Sequence, residues 1–350
     1  MNPLNLGIIG CGVIGKKHAR AAAETDKINL TGLADINTDA ARTLGSELNV
    51  KDIFNSGNEL IESKSVEAVV LALPACARMK LALHAFQNNK HVLTEKPVGM
   101  CASEVEKMIS ASGSLTVGCC SSRMRFLENA FIAADFIRKG NLGRIRCIRC
   151  SAFSPAPEKP ETLPPPWRLK RHVNGGGILA NWGCYDMDYL LGILDWSLEP
   201  VSVYGRVWEI PENFRGHVVA ESNAETQVSA IVRFKDGAVM NFERGEYTTR
   251  EKSGTWQIEG EQGTLDLPMV PWDKKGMRFF KADSRRGCIE ETLWDGEETY
   301  SAVPRRLLED FAAAVRERRQ PRTSLENALV IQKITDGIYK SSETGETVEL

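Results

Sequence analysis

Six consecutive residues near the N-terminus have the types and spacing that bind a nucleotide phosphate. The sequence Gly10-Cys11-Gly12-Val13-Ile14-Gly15 has the pattern GxGxxG, follows an apolar run and opens a segment with helical periodicity. The first glycine permits a tight turn, the second lets the backbone approach a pyrophosphate, and the third allows a strand and a helix to pack closely. Backbone amides at the start of that helix then attract an anion. The motif therefore predicts a dinucleotide-binding turn.

An acidic residue follows at the spacing that this interpretation requires. Asp35 ends the next apolar run, about 20 residues after the turn, where an acid receives the ribose hydroxyls of a dinucleotide. Its charge repels a 2'-phosphate, so the sequence favours NAD, with NADP as the less favoured cofactor. The alternative is a structural turn beside a solvated aspartate, and the order of strand, turn, helix, strand and acid argues against it.

A second group of candidate residues follows a run of three glycines in the middle of the chain. Asn181 and Tyr185 are four residues apart, a spacing that places two side chains on one face of a helix. The Asn181 amide can hold a substrate hydroxyl, although it cannot accept a proton. A tyrosine transfers protons when nearby cations lower its pKa from the ordinary value of about 10. An amide and a phenol on one helix face can therefore act together on a hydroxyl group.

The elements that would hold the glycine turn are predicted by alternating apolar runs and helical patterns in about the first 120 residues. This alternation is typical of a doubly wound parallel sheet. The run Val66–Leu73 is too apolar for a half-exposed strand, so we expect it in the centre of the sheet. Thr38 is the expected cap of the second helix. The predicted strands are Leu4–Ile9, Asn29–Asp35, Val66–Leu73, His91–Leu93 and Leu115–Cys119, and the predicted helices are Gly15–Thr25, Thr38–Leu48 and Arg78–Asn88.

Strands in the later part of the chain follow one another directly, with turn signals such as Lys235-Asp236-Gly237 between them. This pattern predicts an open, mostly antiparallel sheet, so we expect an α/β Rossmann domain at residues 1–124 and an α+β domain for substrate binding and oligomerisation at residues 125–350. The proline-rich stretch Ser154–Pro166 is expected to be a loop near the domain junction. The predicted strands are Arg144–Phe153, Val201–Trp208, Ala224–Phe234, Ala238–Glu246, Thr255–Glu259 and Thr264–Leu267, and the predicted helices are Arg305–Arg319 and Ser324–Ser341.

The bulk composition restricts the class of partner. The 350 residues are 42% hydrophobic, enough for a large core, and the formal net charge is only -2. This balance argues against nucleic acid or a membrane surface as partner and in favour of a small molecule. The N-terminus runs directly into a strand without a targeting pattern, so we expect a cytoplasmic protein. The nine cysteines are expected to be free thiols, and the five histidines show no spacing typical of a metal site.

Four motifs carry a resemblance to a known family. The phrase Asn89–Pro97 ends in Glu95-Lys96-Pro97, and the segments Gly140–Gly143, Gly175–Leu179 and Ile338–Gly345 agree with the same pattern. The chain resembles the Gfo/Idh/MocA family, the relatives of glucose-fructose oxidoreductase and inositol dehydrogenase, over nearly its whole length. The resemblance implies a Rossmann domain followed by an open sheet whose outer face commonly makes dimers or tetramers.

The resemblance also implies how the candidate residues act. In the family, the lysine of the Glu-Lys-Pro motif lies beside the nicotinamide and binds the reacting hydroxyl. The resemblance implies the same role for Lys96. Relatives usually have an aspartate and a histidine where this chain has Asn181 and Tyr185. Glucose-fructose oxidoreductase has a tyrosine at the second place, so the exchange does not exclude catalysis, and the resemblance implies that Tyr185 transfers the proton, with a packing role as the alternative. A buried ammonium beside the substrate oxygen favours an alkoxide-like transition state.

The remaining contacts implied by the resemblance include several cations. Arg78 stands where relatives have a histidine and adds a positive group beneath the cofactor. These cations fit a substrate with a carboxylate or phosphate, although arginines that contact the pyrophosphate explain them equally well. The implied cofactor-binding residues are Gly10, Cys11, Gly12, Val13, Ile14, Gly15, Asp35, Ile36, Leu73, Pro74, Arg78, Glu95, Lys96, Arg123, Trp167 and Arg168, and the implied substrate-binding residues are Lys96, Arg123, Arg168, His172, Asn181 and Tyr185. Asp186 is expected to be solvated or capping, and Asp188 to be structural.

Together these patterns predict an NAD-dependent oxidoreductase that moves a hydride between nicotinamide and a secondary alcohol of a sugar, sugar derivative or cyclitol. Two alternatives remain. The loss of the usual aspartate and histidine fits a non-catalytic regulator that binds NAD(P). The same fold also fits a glycoside hydrolase that recycles a tightly bound NAD.

Overall fold

The computed structural model describes residues 2–273 and 275–350, which form two compact units. The first unit consists of the chain up to Arg123 and of Ser301–Leu329, and the second of Met124–Tyr300 and Val330–Leu350. The domain division predicted at residue 124 stays a prediction.

The first unit is built on a six-stranded parallel sheet in the order β3-β2-β1-β4-β5-β6. Every residue of the central strand β4 is buried, as expected for a strand that is covered on both faces. The strands are β1 (Leu4–Ile9), β2 (Ile28–Ala34), β3 (Asp52–Phe54), β4 (Ala68–Leu71), β5 (His91–Thr94) and β6 (Val117–Cys119). The helices between them are α1 (Val13–Ala23), α2 (Thr38–Leu48), α3 (Gly57–Glu62), α4 (Ala75–Gln87) and α5 (Ala102–Ser112).

The second unit is built on a nine-stranded sheet in the order β14-β13-β12-β11-β7-β10-β9-β8-β15. Its strands pair antiparallel except β7 and β10, which are parallel. The strands are β7 (Ile145–Pro155), β8 (Pro200–Glu209), β9 (Glu225–Phe234), β10 (Val239–Thr248), β11 (Ser253–Gly260), β12 (Gly263–Asp266), β13 (Met277–Asp283), β14 (Gly287–Trp294) and β15 (Val348–Glu349). The helices are α6 (Glu128–Arg138), α7 (Arg171–Asn174) and α8 (Cys184–Ile193).

Two further helices follow the second sheet along the chain. Helix α9 (Val303–Glu317) belongs to the first unit, and α10 (Leu325–Thr344) begins there and ends in the second unit. Within the described residues, no helix is both long and apolar enough to cross a membrane.

The predicted fold class is confirmed, because a parallel Rossmann sheet is followed by a mostly antiparallel one. One local prediction is wrong: α2 is capped by Asn37, whose side chain accepts a hydrogen bond from the amide of Ala40 at 3.4 Å, and Thr38 is already inside the helix. Strand β14 was not predicted because most of its side chains are exposed, so no alternation of apolar residues marks it.

Candidate functional site

The glycine turn joins β1 to α1, and each of its glycines meets a different steric requirement. Gly10 has φ +97°, and a Cβ there would lie 2.4 Å from the carbonyl oxygen of Ala72. A Cβ on Gly15 would lie 1.7 Å from the carbonyl oxygen of Gly10. In contrast, no atom lies within 4 Å of a Cβ built on Gly12. The first and third glycines are therefore required by packing, and the second leaves open space in front of the helix N-terminus.

This open turn suits a bound dinucleotide. The first turn of α1 carries no acidic residue, so nothing there repels a phosphate. Asp35 follows β2, where its Oδ2 accepts from the amide of Cys11 at 2.6 Å and its Oδ1 from the amide of Asn37 at 2.8 Å. Val13 and Ile36 are 74% and 96% exposed, which leaves apolar surface beside the turn. The residues present therefore fit a pyrophosphate, a ribose and an adenine.

A buried ion cluster fixes the Glu-Lys-Pro segment at the end of β5. The Glu95 carboxylate is 4% exposed, and its Oε1 lies 2.8 Å from Nε2 of His18 and also accepts from Arg123. Burial opposes its ionisation, but Arg123 and His18 outweigh that cost and hold the pKa of Glu95 well below the usual value. Burial lowers the pKa of His18, which favours the neutral ring. The Lys96 amide lies 3.3 Å from Oε2 of Glu95, so the cluster holds the backbone of the half-buried Lys96.

Arg78 joins two loops of the first unit. It is 5% exposed, and its Nε donates to the carbonyl oxygen of Leu73 at 2.8 Å. Its Nη1 donates to the carbonyl oxygen of Glu95 at 3.0 Å and also to that of Pro97. Arg78 thus braces the loop after β4 against the segment that carries Lys96.

The second candidate helix is anchored by a buried carboxylate. Glu225 accepts from the amides of Gly177 and Leu179 at 2.8 and 3.0 Å and from the Tyr339 hydroxyl at 2.9 Å. A Cβ on Gly177 would lie 1.8 Å from the carbonyl oxygen of Glu225, so only glycine permits this approach. Burial raises the pKa of Glu225, and the hydrogen bonds that it accepts oppose that shift. This anchor fixes the start of the helical segment.

The segment itself is not a regular α-helix. Leu179–Gly183 forms a π-helical turn, which contains Asn181, and α8 begins after it, with Tyr185 as its second residue. The segment is therefore helical as predicted, but its first turn is π-helical rather than α-helical, and the expectation that Asn181 and Tyr185 share one face stays a prediction. Such turns are frequent at functional sites.

Tyr185 is 5% exposed and is held among aromatic side chains. Its ring centroid lies 5.5 Å from that of Trp182 in an edge-on contact, and the guanidinium of Arg244 lies 4.7 Å from the Trp182 ring centroid. Asp186 is fully buried, with its oxygens 2.6 and 2.8 Å from Arg244 and a hydrogen bond of 2.9 Å from Trp256. The expectation that Asp186 is solvated or capping is therefore wrong, because it neutralises the arginine that stacks on Trp182.

Asp188 has the structural role that the sequence predicted. It is fully buried, and its Oδ1 accepts from Nε of Arg125 at 2.6 Å. Breaking such a pair would leave one buried charge uncompensated.

The other predicted residues are divided between the units, and their roles stay predictions. Arg168 pairs with Glu246, whereas Trp167 and His172 are exposed. The first unit holds Gly10, Cys11, Gly12, Val13, Ile14, Gly15, Asp35, Ile36, Leu73, Pro74, Arg78, Glu95, Lys96 and Arg123, and the second holds Trp167, Arg168, His172, Asn181 and Tyr185.

Sequence reasoning missed three groups that support the candidate residues, namely His18, Glu225 and Arg244. His18 had a detectable signal, since it is a polar residue three positions after Gly15 on the face of α1 that buries Ala19 and Ala22. His18 also lies near Glu95 and Cys120 in a geometry that could hold a metal ion, but the Arg123 guanidinium on the same carboxylate opposes a further cation.

The parallel sheet, the open glycine turn and the acid after β2 define a dinucleotide-binding domain. The model of the Gfo/Idh/MocA oxidoreductase family, described as an NAD-binding Rossmann fold, matches residues 4–118, and the model of the Gfo/Idh/MocA C-terminal domain matches residues 132–266. The chain belongs to the Gfo/Idh/MocA family of oxidoreductases, and its first unit is an NAD-binding Rossmann domain.

Relatives with known names share this organisation. The chain is 27% identical over 301 residues to myo-inositol 2-dehydrogenase of Thermotoga maritima, covering 82% of this chain and 86% of that protein. It is 25% identical over 300 residues to levoglucosan dehydrogenase of Pseudarthrobacter phenanthrenivorans, covering 76% and 73% of the two chains. A solved structure of levoglucosan dehydrogenase with NADH and L-sorbose superposes with a TM-score of 0.84 at 19% identity, covering 100% and 99%.

The buried cluster around Glu95 generates a stability prediction. Glu95→Gln removes the buried carboxylate charge that Arg123 binds, so the free energy of unfolding should fall by about 3–5 kcal/mol at neutral pH. Because the pKa of Glu95 is lowered on folding, the wild-type advantage is fully present above the unfolded-state pKa of about 4.3 and declines as the pH falls from there toward the much lower folded-state pKa. Urea unfolding from pH 3 to pH 8 measures this difference.

Glu47→Gln is the matched control, because Glu47 pairs with Arg20 on the exposed face of the same helix that carries His18. We expect little change in its unfolding free energy. Equal effects of the two substitutions, or a Glu95→Gln deficit that grows in acid, would contradict the described cluster.

Proposed function

We propose that the chain transfers a hydride between NAD and a secondary alcohol of a sugar, a sugar derivative or a cyclitol. The observation that carries the proposal is the fixed position of Lys96 in a unit whose glycine turn is open for a dinucleotide. The family is an oxidoreductase family, and relatives are named for inositol and levoglucosan. A cation beside the reacting oxygen stabilises the negative charge that develops on that oxygen in the transition state, and we propose Lys96 as this cation.

Each of three side chains has a proposed role. Lys96 donates to the carbinol oxygen and stabilises the negative charge that develops on it. Tyr185, as the phenolate, takes the proton of that oxygen and becomes the neutral phenol, and the Asn181 amide orients the substrate. A bound NAD would supply the hydride acceptor. In the reverse direction, Tyr185 returns the proton and Lys96 polarises the carbonyl.

The supporting residues divide by unit. We propose that the first unit holds the cofactor, with Asp35 on a ribose and the loops at Leu73–Arg78 and Glu95–Lys96 beside the rest of the molecule. Arg123 and Arg168 are proposed contacts of cofactor or substrate. Arg123 already pairs with the buried Glu95 and Arg168 with the partly buried Glu246, so both are less available to an anionic substrate than the sequence suggested.

We also propose a homodimer or homotetramer that forms through the outer face of the second sheet. Tyr204 and Ile231 are cross-strand partners on β8 and β9 and are 52% and 46% exposed. Trp208, further along β8, is 45% exposed. Large apolar side chains at this exposure are typical of an interface.

Substitution of the proposed pair tests the catalytic assignment. Tyr185→Phe and Lys96→Met should each lower kcat by at least about 100-fold, since a positioned proton-transfer group or oxyanion donor contributes that much. NADH formation with a panel of monosaccharides and cyclitols measures the rates, and NADH titration checks that the cofactor still binds.

The control variants remove a tyrosine hydroxyl and a lysine ammonium that lie outside the proposed site. Tyr189→Phe deletes a hydroxyl on the same helix that bonds Asn129, and Lys80→Met deletes an exposed lysine of α4. Both should keep near-normal kcat. If Tyr185→Phe and Lys96→Met do so as well, the assignment is wrong; if wild-type protein reduces no NAD with any alcohol, the dehydrogenase itself is wrong.

Asp35 generates a prediction about cofactor choice. The wild-type chain should use NAD in preference to NADP, and Asp35→Asn should shift the ratio of kcat/KM values toward NADP by about tenfold, because a charge repulsion of roughly 1–4 kcal/mol is removed. Asp39→Asn, which deletes an exposed charge from the first turn of α2, is the control. An unchanged ratio in Asp35→Asn would show that Asp35 does not face the ribose.

A further inference from the structure

The chain is bound by the same arginine on both sides of Tyr185. Trp182, three positions before Tyr185, carries the guanidinium of Arg244 over its ring, 4.7 Å from the ring centroid. Asp186, the residue directly after Tyr185, accepts from Nη1 of Arg244 with both of its oxygens, at 2.6 and 2.8 Å. One guanidinium therefore contacts the two residues that flank the proposed proton-transfer residue.

These two contacts lie on either side of a change in helix type. Trp182 belongs to the π-helical turn Leu179–Gly183, and Asp186 belongs to the first turn of α8. Backbone hydrogen bonds span one residue more in a π-helical turn than in an α-helix, so their register changes between these residues. Helices bend at such places. A side chain from another element that binds both sides of the junction restrains the helical segment there.

Arg244 is itself held firmly. It lies on β10, which pairs with β7 and β9 inside the second sheet. Its side chain is 12% exposed, and that of Asp186 is completely buried. Asp186 also accepts from Nε1 of Trp256 at 2.9 Å, so the carboxylate is fixed from a second strand, β11. The guanidinium is therefore a rigid support for the segment that carries Tyr185.

The indole of Trp182 connects this support to the phenol ring. Its ring centroid lies 5.5 Å from that of Tyr185, and the two planes make an angle of 64°. Edge-on aromatic pairs of this kind have a defined preferred geometry, and a guanidinium prefers to stack on an indole face. A movement of the indole therefore changes the position of the phenol. A displacement of about 1 Å costs a reacting group on the order of 100-fold in rate.

We infer that Arg244 is a positioning residue, which holds Tyr185 in the orientation for proton transfer through its contacts with Trp182 and Asp186. The inference rests on the proposed function, since that function assigns the proton transfer to Tyr185. Arg244 does not exchange a proton itself. Its loss should therefore lower kcat and leave the KM for NAD unchanged, because the proposed cofactor contacts Gly10–Gly15 and Asp35 belong to the first unit.

Arg244→Lys separates the two contacts. A lysine ammonium still neutralises the buried Asp186, but it lacks the planar guanidinium that stacks on an indole. The fold should therefore persist, while the contact with Trp182 is lost. Trp182→Leu tests the same contact from its other side and keeps the ion pair between Arg244 and Asp186.

Arg278→Lys is the matched control. Arg278, on β13, also pairs with an aspartate, since its Nη2 lies 2.8 Å from Oδ2 of Asp266. Its guanidinium also lies over an aromatic ring, 5.4 Å from the centroid of Phe280. The control therefore makes the same chemical change away from Tyr185. All rates are measured with NAD and the panel of monosaccharides and cyclitols, below the melting temperature of every variant.

Arg244→Lys and Trp182→Leu should each lower kcat about 10- to 100-fold, with the KM for NAD within about twofold of the wild-type value. The double variant should be no slower than the slower single variant, because both substitutions remove one and the same contact. Arg278→Lys should keep the wild-type kcat.

A normal kcat in either Arg244→Lys or Trp182→Leu would overturn the positioning role. Effects of these two substitutions that multiply in the double variant would do the same, since Arg244 would then not act through Trp182. A loss of the same size in Arg278→Lys would also overturn it, because the contact at Tyr185 would then have no special effect.

A measurement without turnover separates this inference from the proposed function. The chain is labelled with 3-fluorotyrosine, and the ¹⁹F resonance of Tyr185 is identified by its absence in Tyr185→Phe. This resonance should shift in Arg244→Lys and stay in place in Arg278→Lys. If the wild type forms no NADH with any alcohol, the proposed function is refuted, and the ¹⁹F spectrum still decides whether Arg244 holds Tyr185. A Tyr185 resonance that does not move in Arg244→Lys would overturn the inference.

Discussion

The structure depends on a carboxylate that can be buried only because two partners accompany it. Glu95 is ionised at 4% exposure, and the cost of its desolvation is met by Arg123 and His18. These three residues come from the turn after β6, the end of β5 and helix α1. The sheet order β1-β4-β5-β6 brings those places together, so the parallel topology and the ion cluster require one another. The cluster also fixes the position of Lys96, because the backbone amide of Lys96 donates a hydrogen bond to the Glu95 carboxylate.

In the second unit, buried carboxylates also fix the segment that carries the proposed catalytic residues. Glu225 fixes the start of the helical segment that carries Asn181 and Tyr185, and Asp186 fixes Arg244 against Trp182. In each unit, a buried glutamate accepts backbone hydrogen bonds from the segment that carries a proposed catalytic side chain and so fixes that segment. Such rigid support lets a site hold its reacting groups in place before the substrate arrives.

The sequence was most informative where periodicity and special residues coincide. The glycine turn, Asp35 and the alternation of strands and helices predicted the Rossmann sheet, because backbone geometry dictates glycine at Gly10 and Gly15. The sequence was silent on contacts that only tertiary structure creates. Arg78 was expected to be a positive group beneath the cofactor and Asp186 to be solvated or capping, since burial of a charge depends on partners far away in the chain. The π-helical turn at Asn181 also leaves no periodic signal.

The central claim is that the carbinol hydrogen of a sugar-like alcohol passes directly to the cofactor. Sugars and cyclitols that carry deuterium on their carbinol carbons, incubated with the chain and NAD, test it when the reduced cofactor is analysed by mass spectrometry. We expect one deuterium in the NADH that forms, and none when unlabelled alcohols are used in heavy water. A cofactor that remains oxidised, or that acquires its hydrogen from the solvent, would contradict the account.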